Sequence, residues 1–472
     1  MNRRIPLYEK LLEFKTKQPI SFHVPGHKNG EIFPPVAKDE FSNILKLDMT
    51  EIPGLDDLHA PQEVIAEAEA LASRFFGSDH TFFLVGGSTA GNLAMILSVC
   101  NSGDKIIVQR NSHKSILNGL ELANADPIFL APEYDEKYGR FTNPSVNTVR
   151  QAIKKHPDAK AIVLTYPDYF GKTYPLQEMI QLAHRSHIPV LVDEAHGVHF
   201  SLGEPLPASA LQLGADVVVH SAHKMAPAMT MASYLHFQSS LISKEKLAHY
   251  LQIIQSSSPS YPLMASLDLA RYFLESLTQE DMEKTLQSTD DMRNILAHSH
   301  AWHVVQNTPA DDPFKITLQM NPGYRAHQAS HFLESEGLYP ELSTHQQVLL
   351  IHGLAPFPYM DQLRKSVERA NGQLKKEAKH AKIEMDGLFT DKIETLALSY
   401  ESMKKLNVKK VPLKEGIGNI AAEAIIPYPP GIPIVLKGET IRQAHIDAIE
   451  HLKNQGVKIQ QREEGLKIFS DH

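Results

Sequence analysis

The chain is poor in the residues that usually announce a secreted, metal-bound or membrane-embedded protein. It has one cysteine, Cys100, and one tryptophan among 472 residues. A lone cysteine excludes an internal disulfide and any cysteine-built metal site, and it points to a reducing, cytoplasmic setting. No apolar run approaches the roughly 18 residues a spanning helix needs. The arginines of Met-Asn-Arg-Arg-Ile-Pro precede no apolar core of the kind a secretory signal carries. Excess positive charge is also missing: 47 basic against 55 acidic residues leave −8. That balance argues against nucleic acid or an anionic membrane surface as partner and leans weakly toward cationic small molecules. What remains is an ordinary globular composition, 42% hydrophobic and 22% charged.

Three stretches differ in texture. Residues 1–60 are broken by Pro19, Pro25, Gly26, Gly30, Pro34, Pro35, Pro53 and Gly54 and read as an irregular N-terminal arm. Residues 61–280 alternate helix and strand signals. Val64 to Phe76 recurs at helical spacing and is closed by Gly77, and the short apolar runs Thr81–Val85, Lys105–Val108, Pro127–Leu130, Ala161–Thr165, Pro189–Asp193 and Ala215–Ser221 read as buried strands. This pattern predicts a large α/β domain with a mostly parallel sheet. Residues 281–472 mix polar helical stretches (Asp281–His298, Met360–Lys382, Thr390–Leu406) with strands at Phe314–Leu318 and Val348–His352, which predicts a smaller C-terminal α+β domain. The lysines of Leu374–Lys382 read as a solvated face.

Chemistry-bearing residues gather at predicted strand ends, where open parallel sheets place ligands. Val85-Gly86-Gly87-Ser88-Thr89-Ala90-Gly91-Asn92 joins a strand to a helix and offers hydroxyls and helical N–H groups to an anion. Asp193 ends a buried strand, where a carboxylate requires a cationic or hydrogen-bonded partner. Another buried strand runs into Ser221-Ala222-His223-Lys224, with Ser221 and His223 expected to face one ligand. A phosphate cradle, a strand-end aspartate and a lysine 31 residues later match the needs of pyridoxal 5'-phosphate: helix N-terminus for its phosphate, carboxylate for its ring nitrogen, lysine for its aldehyde. His113, after the strand Lys105–Val108, is placed to supply a ring against the pyridine face.

Spacing disposes of two decoys. Asp193-Glu194-Ala195-His196 spells a helicase box and Gly171-Lys172-Thr173 the end of a P-loop, yet Tyr166 stands where the P-loop requires glycine. The histidine pairs His23/His27, His196/His199 and His220/His223 lack cysteine support for zinc, and no metal is expected.

Phe22-His23-Val24-Pro25-Gly26-His27-Lys28, Asp56-Asp57-Leu58-His59, Asp193-Glu-Ala-His196, Ser221-Ala-His-Lys224 and Pro427-Tyr428-Pro429-Pro430-Gly431 occur in order over most of the chain. Together they resemble the Orn/Lys/Arg decarboxylase family, in its short bacterial branch. The resemblance implies the fold type I architecture of pyridoxal-phosphate enzymes and a homodimer or higher homo-oligomer with shared active sites. It makes Lys224 the lysine that carries the cofactor covalently and Asp193 the partner of the pyridinium nitrogen. His113 stacks on the ring, Ala195 packs on its other face, and Ser88, Thr89, Ser221 and His223 surround the phosphate and the lysine linkage. His196 sits near the cofactor's phenolic oxygen or the substrate carboxylate, and Lys224 or His223 returns a proton to Cα. Ser258-Pro259-Ser260-Tyr261 joins the substrate side. Two departures touch substrate choice: Asp168 in Tyr166-Pro167-Asp168-Tyr169, and Lys437-Gly438-Glu439 in place of Pro-Gly-Glu.

The expected reaction is decarboxylation of lysine, arginine or ornithine. Glu423, inside Ala421-Ala422-Glu423-Ala424-Ile425-Ile426, leads the candidates for the substrate's cationic end, followed by Asp57 and Asp168. An aminotransferase of the same fold would need an arginine clamp, for which Arg271 stays open. A desulfurase would need a mobile cysteine, and Cys100 lies in an apolar helix. A non-catalytic cofactor-binding paralogue is the reading from a different class.

Overall fold

The computed structural model describes residues 4–137, 139–376, 388–389, 391–428, 433–454, 458–459 and 465–470. The chain divides into two compact units, Met1–Val99 with Ala183–Leu277, and Cys100–Leu182 with Thr278–His472.

In the first unit four strands lie in the order His80–Leu84, Ser233–Phe237, Val217–His220, Val190–Asp193. The last two run parallel, with Asp193 opposite Val219. Ser233–Phe237, which the sequence pattern does not mark, runs antiparallel to both its neighbours. It is buried throughout yet polar at Ser233 and His236, so it lacks the apolar run that identifies the others. The helix Gly87–Val99 starts just after the first strand and lies close to this sheet. A Cβ at Gly91 would stand 2.8 Å from Leu84 Cδ1 and 3.0 Å from Val219 Cγ1. Gly91→Ala should therefore push the helix outward and lower stability by about 1–3 kcal/mol, read as a lower urea midpoint.

The arm is more ordered than its prolines suggest. Pro6–Thr16 and Lys38–Leu45 are helices. Pro6 occupies the first turn, where a missing N–H costs nothing, and Leu7 and Leu11 share a buried face. Asp268 accepts the Leu7 N–H at 3.1 Å, while Arg271 donates to the Arg4 carbonyl at 2.6 Å and to Asp268 at 2.7 Å. Asp56 then starts the helix Val64–Phe76. Its carboxylate accepts the N–H groups of Gln62, Glu63, Ile65 and Ala66, and these bonds outweigh burial and keep it below the ordinary range.

On that helix Glu69 is buried and accepts the Phe83 N–H at 2.9 Å. Burial pushes its carboxyl from 4.5 up to about 8. The folded chain thus keeps a proton that the unfolded chain releases, so stability falls as pH rises from about 4.5 to about 8 and levels off above. Glu69→Gln should remove that slope, seen by comparing urea midpoints at pH 5 and pH 8.

In the second unit Ile162–Thr165, Lys105–Gln109 and Asp126–Leu130 are parallel neighbours, with Ile393–Thr395 antiparallel on the edge. A separate antiparallel sheet orders Trp302–Val304, Lys315–Met320, Gln347–Ile351 and Leu342–Ser343, and it shares a core of Leu296, Trp302, Ile316, Phe332 and Val367 with its helices. The helix expected over 390–406 is instead that edge strand plus the short helix Tyr400–Met403. Pairing with Asp126–Leu130 overrides local helical preference there. The helix from Met360 ends at Gln373, and residues 377–382 of the lysine-rich stretch lie outside the described residues.

Candidate active site

The site grows from two adjacent strand ends of the first unit. Asp193 closes its strand almost fully buried, and its oxygens accept Asn92 Nδ2–H at 2.9 Å and the Ala195 N–H at 3.2 Å. Among the described residues no cationic side chain pairs with it. A buried carboxylate met only by neutral donors is costly, and a ligand bearing a protonated ring nitrogen would complete it.

Beside it Gly87 takes φ +73°, a turn glycine adopts without strain, and opens the helix Gly87–Val99. Ser88 and Thr89 follow in the first turn, Thr89 exposed. Ser221, buried after the next strand, donates to Ser88 Oγ at 2.7 Å. The two hydroxyl-bearing segments therefore converge at a positive helix end.

Beyond Ser221 the chain coils into the short helix Ala222–Met225. The strand ends at His220, so Ser221 and His223 lie at the start of this short helix rather than along the strand. His223 Nδ1 lies 3.2 Å from the Ala232 carbonyl, while Lys224 Nζ lies 3.0 Å from His196 Nε2. Three sets of bonds thus mark the strand ends: Ser221 to Ser88, Lys224 to His196, and Asp193 to the Ala195 N–H and to Asn92, whose part the sequence did not announce. A polar side chain inside Ala90-Gly91-Asn92-Leu93-Ala94 was the available signal.

Asp57 is exposed and accepts the His59 N–H at 2.8 Å in its own turn. His59 Nε2 meets the Ser256 carbonyl at 2.8 Å, and Tyr261 donates to the Asp56 carbonyl at 2.7 Å. These bonds join the Asp56–His59 segment to the Ser258–Tyr261 turn, in which Ser260 caps the helix Tyr261–Ser276.

His113, Asp168 and Glu423 belong to the second unit. His113 caps the helix Lys114–Ala123, and its Nδ1 accepts the Ser115 N–H, which leaves the hydrogen of the neutral ring on Nε2. Asp168 accepts the N–H groups of Phe170 at 2.9 Å and Lys172 at 2.8 Å, and Arg140 stands 3.5 Å away. Its carboxylate is thereby engaged in its own turn. Glu423 lies 3.4 Å from Lys467 Nζ. Of the Pro427–Gly431 motif, residues 429–431 lie outside the described residues.

Glu439, from the second departure, anchors this unit. It accepts the buried Arg110 guanidinium at 2.6 Å, and Arg110 also donates to the carbonyls of Pro433 and Ile434 at 3.0 Å each. Lys437 pairs with Glu121 at 2.6 Å. Arg271, the possible clamp, is fully buried and held by Asp268 and Glu275. Cys100 is buried just past its helix.

Comparison with known proteins identifies the family. Residues 5–309 match the model of the Orn/Lys/Arg decarboxylase major domain and residues 383–462 that of its C-terminal domain. The uncharacterized protein YaaO of Bacillus subtilis is 41% identical over 461 residues, spanning 96% of this chain and 95% of that one. Arginine decarboxylase of the same organism is 35% identical over 469 residues, spanning 96% and 95%. The crystal structure of the Francisella novicida lysine decarboxylase LdcF covers 100% of this chain and 82% of its own with a TM-score of 0.85 at 21% identity, which shows a shared fold. By these matches across both domains, this chain belongs to the Orn/Lys/Arg decarboxylase family.

Proposed function

We propose that this chain is a pyridoxal-phosphate-dependent decarboxylase that converts lysine, arginine or ornithine to CO2 and the corresponding amine. The observation that carries the reading is Asp193, a buried carboxylate that meets only neutral donors among the described residues, on the strand neighbouring the one that leads to Lys224. Bound there, pyridoxal phosphate supplies an electron-accepting ring for the pair released when the Cα–carboxylate bond breaks. Asp193 holds the ring nitrogen protonated, and Asn92 and the Ala195 N–H fix that carboxylate in place. Ser88, Thr89, Ser221 and the first N–H groups of the helix Gly87–Val99 hold the phosphate. Lys224 anchors the cofactor and delivers a proton to Cα. His196, 3.0 Å from Nζ, orients the amine and exchanges protons with it.

His113 is proposed to stack on the ring, and His223 to stand in as the proton donor. For the cationic end of the substrate Glu423 leads. It is the carboxylate of a segment otherwise made of small and apolar residues, whereas Asp57 is exposed and Asp168 faces Arg140 at 3.5 Å. An aminotransferase is disfavoured because Arg271 is committed to Asp268 and Glu275. We further propose a cytoplasmic homodimer acting in polyamine metabolism. The exposed Phe22 (94%), Val36 (90%) and Ile20 (85%) of the arm offer apolar surface for a second copy. The arm (1–60), cofactor domain (61–280) and closing domain (281–472) remain our functional division.

The purified chain with pyridoxal phosphate should turn over at least one of lysine, arginine and ornithine and leave the uncharged analogue norleucine untouched. Equal turnover of norleucine would contradict the cationic substrate class.

A further inference from the structure

Glu194 is the member of the Asp193–His196 stretch that the proposed chemistry leaves unused, and it is completely buried. Asp193 turns toward Asn92; Glu194, the next residue, turns away to His220, whose Nε2 lies 2.8 Å from its Oε2. The Ala210 N–H, an obligate donor, reaches both Glu194 oxygens at 3.0 and 3.1 Å. His220 Nδ1 meets His236 Nε2 at 3.0 Å, and His236 Nδ1 meets Thr81 Oγ1 at 2.8 Å. The chain of bonds takes one residue from, or directly after, each of the four strands of the first unit.

All four side chains are fully buried, and the Phe76 ring lies 4.4 Å from that of His236 and 5.5 Å from that of His220. Burial pushes the Glu194 carboxyl up and His236 down, so the array is costly to bury. Apolar residues would fill this layer without that cost. What the array adds is register. Glu194 follows Asp193, and His220 precedes Ser221 and Lys224, so one short bond ties the two segments that carry the site. The turn behind them is closed over the same carboxylate: a Cβ at Gly197 would stand 2.6 Å from Glu194 Cγ, and the Gly197 N–H donates to the Glu194 carbonyl at 3.0 Å. His196 lies within that turn.

We propose that Glu194, His220, His236 and Thr81 form a buried brace that sets the positions of Asp193, His196 and Lys224, with Glu194 and His220 as positioning residues for the cofactor. This deepens the proposed function and rests on it. The test combines absorbance titration of the full chain with pyridoxal phosphate and histidine-selective 15N NMR of the chain before cofactor is added. Glu194→Gln should retain the wild-type circular dichroism, lose the protected His220 Nε2–H resonance, and take up cofactor roughly 10- to 100-fold more weakly, the range usual for groups that orient a ligand-binding side chain. Glu194→Gln with His220→Gln should be no weaker than the worse single variant, because the two act through one bond. A Glu194→Gln chain that binds like wild type, or losses that simply add, would overturn the brace. A wild type that takes up no cofactor would instead overturn the proposed function. Should Glu194→Gln not fold, Thr81→Val removes only the far hydroxyl. A smaller loss of uptake is expected from it, and unchanged uptake would equally overturn the proposal.

Discussion

Lys224→Ala is expected to abolish both covalent retention of pyridoxal phosphate and decarboxylation, with a rate loss of roughly three orders of magnitude or more. The size follows from two roles held by one amine. In the proposed function Lys224 anchors the cofactor at the strand ends and supplies the proton to Cα, and alanine removes both. His196 cannot replace it: an imidazole can shuttle a proton but forms no stable link to the aldehyde. Because the short helix Ala222–Met225 is exposed at His223 and Lys224 only in part, the variant should unfold close to wild type. The check is absorbance before and after borohydride, with mass spectrometry of the chain. Wild type should acquire the cofactor's mass on reduction, and Lys224→Ala should not. A reduced adduct on the variant would place the linkage on another lysine.

The second large effect concerns folding. Glu439→Ala should cost roughly 3–5 kcal/mol of stability, because it leaves the Arg110 guanidinium buried without its short-range carboxylate. Burial pushes Glu439 up, but Arg110, His445 and the Leu436 N–H outweigh it and hold the carboxyl below the ordinary 4.5. Glu394 is no substitute. It stands 3.9 Å from Arg110 Nε, and burial pushes it upward. Since the folded value of Glu439 is depressed, its contribution is complete above the unfolded value and is lost as pH falls through the folded one. The gap in denaturation midpoint between wild type and variant should therefore be full at pH 7 and shrink in acid. A gap that stays constant to pH 3 would mean the carboxylate's charge contributes nothing.

The two residues illustrate what the sequence could and could not disclose. Asp193 was legible because it ends a run of Val and Leu, where a charged group is anomalous, and Lys224 because it closes the polar cluster that follows the run Val217–Val219. Ser88 was legible from the glycines around it. Glu439 was legible only as part of a motif. Its partner Arg110 lies 329 positions away, and no local pattern reports that distance. Asn92 and Glu194 escaped for a related reason: Asn92 bonds from its helix to a strand end and Glu194 to the neighbouring strand, and only the tertiary fold defines those neighbours. The arm's helices were hidden by prolines that in fact sit at a helix start or between helices, and the strand Ser233–Phe237 by a histidine that Thr81 and His220 satisfy and a serine that bonds the Met231 carbonyl. Strands Lys105–Gln109, Val190–Asp193 and Val217–His220, by contrast, fell where apolar runs and breakers put them.

Carbon–carbon cleavage at Cα with proton return is the reaction proposed for this site. Its most direct test is the product balance of the purified, cofactor-loaded chain given carboxyl-labelled L-lysine, L-arginine and L-ornithine. For the preferred substrate the expected result is one labelled CO2 released for each amine formed, with no keto acid. Keto acid without labelled CO2, or no turnover of any of the three by a chain that demonstrably carries the cofactor on Lys224, would contradict it.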